Sequence, residues 1–250
     1  MKPSLSIIII TKNASKTIEK CLMSVSFANE IIVLDSGSTD NTVDLCRNYT
    51  AQVFQTDWPG FGIQKNRALE KATGDWIFSI DSDEWVTEAL KNEILSIITT
   101  ATYEVFSLPR QNRCCGHWMR FGDQGKDSVT RLFKRDRALF NNNTIHESLQ
   151  TTAPIGHLTS PLLHDSFENL SQIIEKANRY STLTAKQLFG KKKGGFFRGL
   201  QSGTWIFLRG YLFRLGFLDG RAGFCIAFGN FIGTFCKYAK LAELENHVKS

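Results

Sequence analysis

Three acids crowd the end of one apolar run. The stretch WIFSIDSDEW, residues 76–85, passes from Trp76–Ile80 directly into Asp81, Asp83 and Glu84. In an extended segment residues two apart point the same way, so Asp81 and Asp83 present their carboxylates to one side at short range. Like charges that close repel, and the repulsion is relieved when one acid is protonated or when a divalent cation lies between the protein and an anionic ligand. Mg²⁺ and Mn²⁺ accept oxygens from one or two carboxylates together with substrate phosphates, so the pattern fits a metal-assisted phosphate site. A lone D-x-D arises by chance in many chains. Here a further acid, Asp35, closes a second apolar run, EIIVLD.

The elements around these acids set their common position. Residues 5–10 form an apolar run, and SKTIEKCLMSVS then places Ile18, Leu22 and Val25 at helical spacing with Ser15 as N-cap. EIIVLD, DNTVDLCRNY and AQVF read as strand, helix and strand, residues 63–72 as helix, and WIFSI as a fourth strand. Strands alternating with helices at this spacing predict a Rossmann-like, mostly parallel sheet with helices on both faces, an α/β fold. Ligands of such sheets bind beyond the carboxyl ends of the strands, where Asp35 and Asp81 both fall. Asp35 also has a local use, since Ser38, Thr39 and Asp40 can cap the following helix. Glycine-rich phosphate devices are missing: GFGIQKN, residues 60–66, has Lys65 where a dinucleotide fingerprint needs its third glycine.

Composition excludes several classes. With 250 residues, 42% apolar and 22% charged, the chain is globular rather than disordered or fibrous. The six cysteines show no metal-ligand or disulfide spacing, which predicts a reducing, cytoplasmic setting. The apolar run of MKPSLSIIIITKN is too short for a secretory signal and reads as a strand. The net charge of +6 is lopsided: Lys186 to Leu241 holds ten Lys or Arg, one acid (Asp219) and ten of the nineteen Phe. LSQIIEKANRYSTLTAKQLF reads as an amphipathic helix with Ile173, Ile174, Ala177 and Tyr180 on one side. Beyond it the longest uncharged run, Ala222 to Cys236, falls short of the ~20 residues a membrane span needs. Phe and basic residues together predict a segment lying on a membrane surface, or a helical core or homodimer interface made by the same Phe side chains. No recognised nucleic-acid module is present, so nucleic acid is not an expected partner.

Three stretches carry a family resemblance. SIIIITKNASKTIEKCLMSV, EIIVLDSGSTDNTVDLC and GFGIQKNRALEKATGDWIFSIDSDE resemble the successive motifs of family 2 glycosyltransferases of the GT-A fold. SVTRLFKRD, TIHESL, GFLDGRAGF and KYAKLAE resemble a narrower branch, the lipopolysaccharide core enzymes that add a β-glucose to heptose. The resemblance implies an inverting, metal-dependent hexosyltransferase that uses a UDP-sugar, Mg²⁺ or Mn²⁺, and a lipid-anchored lipopolysaccharide core acceptor. Its place would be the inner face of the bacterial cytoplasmic membrane. It implies a GT-A domain over 1–165, with a nucleotide-binding half (1–100) and an acceptor-side half (101–165), followed by a helical extension over 166–250.

Roles follow position by position. The resemblance puts Asp35 on the uracil ring, Asp81 on ribose or metal, and Asp83 on the metal that holds the diphosphate. It puts Thr11 and Asn13 on the donor-pocket rim, Lys65 and Asn66 among base- or phosphate-contacting residues, and His146 and Arg131 on the acceptor side. Glu84 would orient its neighbours. Lys65 could instead lie on an exposed helix face. Inverting displacement needs a base for the acceptor proton, and HDSF, GDQGKDS and IHES offer candidates. Glu147 is the expected base and Asp127 the alternative, although a Glu at a helix start would serve the dipole instead. A family 2 enzyme with another donor or acceptor remains a second reading. A sugar nucleotidyltransferase is a third, but TKNASK lacks the glycine loop it would need.

Overall fold

The computed structural model describes residues 3–100, 102–141 and 147–247. The chain divides into two compact units, Met1–Arg110 with Ser128–His164, and Gln111–Asp127 with Asp165–Ser250. Residues 111–127, expected in the first domain, belong to the second unit because their backbone is tied to the C-terminal segment. Asp219 accepts hydrogen bonds from the Arg120 and Phe121 amides at 3.1 and 2.9 Å, and the Gly122 amide donates to the Arg214 carbonyl at 2.8 Å.

In the first unit the strands and helices alternate as expected. They are β1 (Leu5–Thr11), α1 (Ile18–Ser24), β2 (Glu30–Asp35), α2 (Thr42–Arg47), β3 (Val53–Gln55), α3 (Phe61–Lys71), β4 (Trp76–Asp81), β5 (Glu84–Val86) and α4 (Glu88–Thr100). β6 (Val105–Cys114) and β7 (His117–Trp118) precede β8 (Asp127–Lys134), β9 (Leu139–Phe140), β10 (Leu149–Gln150), β11 (Ile155–His157) and β12 (Leu162–Phe167). The sheet runs β3-β2-β1-β4-β8-β6-β12-β5. Its β3-β2-β1-β4 part is parallel, and β8 joins β4 antiparallel.

Every residue of β1 is buried, as befits a central parallel strand covered on both faces. Its side chains divide by the two-residue period. Leu5, Ile7 and Ile9 pack with Leu22 of α1 and Leu90 and Ile94 of α4, while Ile8 and Ile10 pack with Ala68 and Leu69 of α3 and with Phe133. The expected N-cap Ser15 lies ahead of α1, whose cap position is Thr17 and carries no side-chain cap bond. The cap position of α2 is Asn41, which makes no side-chain cap bond; Asp40, one residue ahead of it, accepts from the Thr42 amide at 3.1 Å.

The second unit is helical: α5 (Leu170–Leu188), α6 (Phe196–Leu208), a π-helical turn (Arg209–Phe213), a 3₁₀ turn (Gly216–Asp219) and α7 (Gly220–His247). Asn169 caps α5, its side chain accepting from the Gln172 amide. Of the expected apolar face of α5, Ile173 is buried but Ile174 is exposed. α7 meets α5 and α6 through glycines. A Cβ on Gly229 would stand 2.2 Å from Ile173 Cγ2, and one on Gly199 of α6 would stand 2.8 Å from the Phe235 carbonyl oxygen. Along α7 the rings of Phe224, Phe228, Phe231 and Phe235 stack at 5.9–6.3 Å. Among the described residues no helix is long and apolar enough to cross a membrane.

The close approach at Gly199 gives a stability test. At an exposed helical site Gly→Ala stabilises by up to about 1 kcal/mol, but here the added methyl must displace backbone, at an overpacking cost of about 1–3 kcal/mol. Gly199→Ala is expected to lower the thermal midpoint, whereas a rise would show that α6 and α7 can part without cost.

Candidate active site

The carboxyl ends of β1, β2 and β4 form one rim. Thr11 is in register with Asp35 on one side, and Ile10 with Asp81 on the other. The two acids are thus two strand spacings apart, roughly 10 Å. The β2 loop is built on Asp35, which is fully buried and accepts from the Gly37 and Ser38 amides at 3.0 and 2.9 Å and from the Ser38 hydroxyl. Gly37, at φ +81°, supplies the turn that aims those amides inward. Asn13, itself at φ +50°, ties the neighbouring loop to this one: its amide donates to Ser38 Oγ and its Oδ1 accepts from the Thr39 amide, both at 2.8 Å. Thr11 Oγ1 is buried and has no hydrogen-bond partner among the described residues.

Beside this cup runs a line of alternating charges. Lys65 sits on α3 with its side chain only 2% exposed, and its Nζ lies 2.9 Å from Asp81 Oδ1 and 2.8 Å from Glu147 Oε1. The exposed-face alternative for Lys65 is therefore overturned, since a buried ammonium has to be paired. The other oxygen of Asp81 takes Arg131 Nη2 at 2.5 Å. Arg131, on β8, also reaches Glu84 at 3.1 and 3.2 Å, and Glu84, wholly buried, receives Arg110 at 2.9 Å and the Asp81 amide at 3.0 Å. Glu147, Asp81 and Glu84 thus alternate with Lys65, Arg131 and Arg110, and the line sums to zero formal charge.

The pairing sets the acidity of the central group. Burial alone would raise the Asp81 pKa, but the Arg131 charge and then the Lys65 charge outweigh it and hold the carboxyl well below the usual carboxylate range. Burial works against the charged form of Arg131 too, and the charges of Asp81 and Glu84 reverse it, raising the guanidinium pKa.

The remaining expected residues are distributed unevenly. Asp83 is 43% exposed, with His164 Nε2 of β12 at 3.4 Å. His164 belongs to the HDSF stretch, which the sequence offered only as a source of a base; its approach to Asp83 follows from the β12–β5 pairing, where His164 is in register with Glu84. Asn66 uses both ends of its amide on the Phe140 backbone, at 2.8 and 2.9 Å, and so serves as a tether between α3 and β9. Arg131, expected on the acceptor side, has its guanidinium committed to Asp81 and Glu84. Asp127 heads β8 and accepts from Asn112 Nδ2 at 3.1 Å. Glu147 lies ahead of β10 and outside any helix, so the helix-dipole alternative does not apply. His146 lies outside the described residues.

A divalent cation can be tested against this donor set. Among the described residues no three His, Cys, Asp or Glu side chains converge on one point. Asp83 and His164 offer an oxygen and a nitrogen donor close together at the rim, whereas both oxygens of Asp81 are held by cations. Two protein donors suit an ion that draws its other ligands from phosphate oxygens and water. Asp83 and His164 are the two side chains at this rim whose chemistry fits such an ion.

Residues 6–154 match the family described as Glycosyl transferase family 2. An uncharacterized glycosyltransferase of Rickettsia prowazekii is 32% identical over 97% of this chain and 87% of its own. The lipopolysaccharide core biosynthesis glycosyltransferase LpsC of Rhizobium meliloti is 30% identical over 97% of this chain and 93% of its own. Among solved structures, glucosyl-3-phosphoglycerate synthase from Mycobacterium tuberculosis, in complex with Mn²⁺ and UDP-glucose, is 27% identical over 44% of each chain with a TM-score of 0.38. The fold is α/β with a mostly parallel central sheet. The chain belongs to glycosyltransferase family 2.

The Lys65 pairing predicts how stability depends on pH. Replacing Lys65 by Met leaves two carboxylates short of a partner, at a cost on the order of 3 kcal/mol at neutral pH. Asp81 has a depressed folded pKa, so its contribution is full above the unfolded value of about 4 and is lost as pH falls below it. Urea denaturation at pH 7 and pH 3 should therefore show the gap between parent and Lys65→Met narrowing in acid. A gap that holds or widens would remove Asp81 from the account.

Proposed function

We propose that this enzyme transfers a hexose, glucose, from a UDP-sugar to a heptose of the lipopolysaccharide inner core, with inversion at the anomeric carbon. The observation that carries the reading is the charge line itself. It sets a second carboxylate, Glu147, on the same buried lysine that steadies the D-x-D acid. The likeness to LpsC over nearly the whole of both chains supports the lipopolysaccharide acceptor. Such an acceptor is lipid-anchored, so the work is done at the cytoplasmic face of the inner membrane.

Glu147 is the base. Its carboxylate takes the proton of the acceptor hydroxyl as that oxygen forms its bond to the anomeric carbon; the bond from that carbon to the diphosphate breaks, and UDP leaves with the electron pair. Lys65 holds Glu147 in place, 2.8 Å away. Asp35, Thr11 and Asn13 shape the nucleoside side of the pocket, where the Thr11 hydroxyl is a buried group with a hydrogen bond still to make. Asp83 and His164 would hold the divalent cation, Mg²⁺ or Mn²⁺, which would offset the negative charge of the diphosphate. Arg131 and Glu84 keep Asp81 oriented toward the rim.

Two substitutions test the roles separately. Glu147→Gln keeps the shape and one hydrogen bond to Lys65 but cannot take a proton, so kcat should fall by roughly 10² to 10⁴ with the KM for the UDP-sugar nearly unchanged. A folded Glu147→Gln enzyme working at the parental rate would move the base to another residue, with Asp127 next to be changed. Asp83→Asn should raise the Mn²⁺ concentration for half-maximal activity tenfold or more, since even outer-shell changes cost about 10–100-fold in metal affinity. Parental activity of Asp83→Asn in EDTA would exclude the metal role.

A further inference from the structure

We propose that the exposed face of α6 and the turn joining it to α7 form a wedge that inserts shallowly into an anionic lipid bilayer. Phe197 is 81% exposed, Phe213 68% and Trp205 57%, and Leu212, Phe217 and Leu218 are exposed beside them. Trp205 and Phe213 lie with ring centroids 5.9 Å apart, so helix and turn contribute to one patch. Exposed apolar side chains gathered as Trp205 and Phe213 are mark a contact with something else.

The turn cannot fold these side chains inward. A Cβ on Gly216 would stand 2.7 Å from the Gly210 carbonyl oxygen, and one on Gly223 would stand 1.8 Å from that of Gly216. Backbone packed on backbone leaves no interior to receive them. The turn is also anchored from both ends: Asp219 is buried on the amides of Arg120 and Phe121, and Asp123 receives Arg214 at 2.7 Å and Asn230 at 3.0 Å. Where α6 meets α7, Phe231 and Phe235 already lie against Gly203 and Gly199.

Charge identifies the occupant as lipid. From Lys186 to Leu241 the single acid is Asp219, which is buried, while Lys191, Lys192, Lys193, Arg198 and Arg221 are all exposed. Phe, Trp and Leu entering the acyl boundary, with Lys and Arg left at the headgroups, is the pattern of an interfacial anchor. A second copy of the chain would bring the same excess of positive charge to the contact and be repelled by it.

This deepens the reading above, because a lipid-anchored acceptor is met at a bilayer, yet its test needs neither donor nor acceptor. The full chain is floated with vesicles of phosphatidylethanolamine and phosphatidylglycerol, and with vesicles of phosphatidylcholine alone. Phe197→Ala/Phe213→Ala/Leu218→Ala should lower partitioning onto the anionic vesicles by at least about tenfold. Lys191→Gln/Lys192→Gln/Lys193→Gln should lower it about ten- to a hundredfold on anionic vesicles while leaving the neutral ones unaffected. Circular dichroism and thermal midpoints matching the parent show that both variants are folded; all the replaced side chains are exposed. Vesicle binding that is absent in the parent, or indifferent to the apolar variant, overturns the proposal. So does a parent dimer, seen by sedimentation equilibrium, that the apolar variant dissolves while vesicle binding persists, since the face would then belong to a second copy. Loss of glycosyl transfer with vesicle binding intact would count against the proposed reaction alone.

Discussion

One buried ammonium organises the rim. Lys65 Nζ is taken out of water and shared by Asp81 and Glu147, which come from the end of β4 and from the chain ahead of β10. Neither carboxylate is tied to the other in sequence, yet desolvating the lysine is tolerable only while both are present. The lysine thereby fixes where the D-x-D acid points and where the candidate base stands. Arg131 extends the same logic across β8, pairing Asp81 to Glu84, whose own carboxylate closes the turn after β4 through the Asp81 amide. Removing any one member leaves a neighbour buried with unbalanced charge.

Much of this was legible in the sequence, and the reasons differ by element. The central strands are continuous apolar runs because they are covered on both faces, and their ends announce the rim by an abrupt change to acid. That gave Asp35 and Asp81 their positions. Pairings across long separations left no local sign: Lys65 and Glu147 are 82 residues apart, and Arg131 and Asp81 are 50 apart. His164 was hidden for a like reason, since the antiparallel pairing of β12 with the short β5 alone brings it beside Asp83. The tether made by Asn66 was likewise out of sight, because an amide that matches strand backbone at both ends looks in sequence like any polar residue beside a site.

The C-terminal unit shows composition resolved by geometry. The sequence leaves its Phe residues open between a helical core and an outward surface, and the structure divides them. Phe231 and Phe235 lie against the glycines of α6, whereas Phe197 and Phe213 face water. Glycine spacing decides which is which. Gly199 and Gly203 are four apart on α6, as are Gly229 and Gly233 on α7, so each pair lies on one face and lets the neighbouring helix approach at backbone distance. Aromatic side chains away from those seams have no partner helix in this unit to cover them.

Charge balance at the rim limits what the paired residues could offer an added anion. Glu147, Asp81 and Glu84 cancel Lys65, Arg131 and Arg110, so the line has no formal surplus to offer a diphosphate. Turning Lys65 toward phosphate would strip the candidate base of its partner and leave Asp81 with Arg131 alone, a buried rearrangement with two desolvated carboxylates to satisfy. Compensation has to be added from outside the line, on a donor that is still accessible. Asp83, two residues beyond Asp81 and nearly half exposed beside His164, is the acid at this rim that answers that description. The two acids of the D-x-D pattern thus differ in setting: the first is consumed in holding the rim together, and the second stays nearly half exposed beside His164.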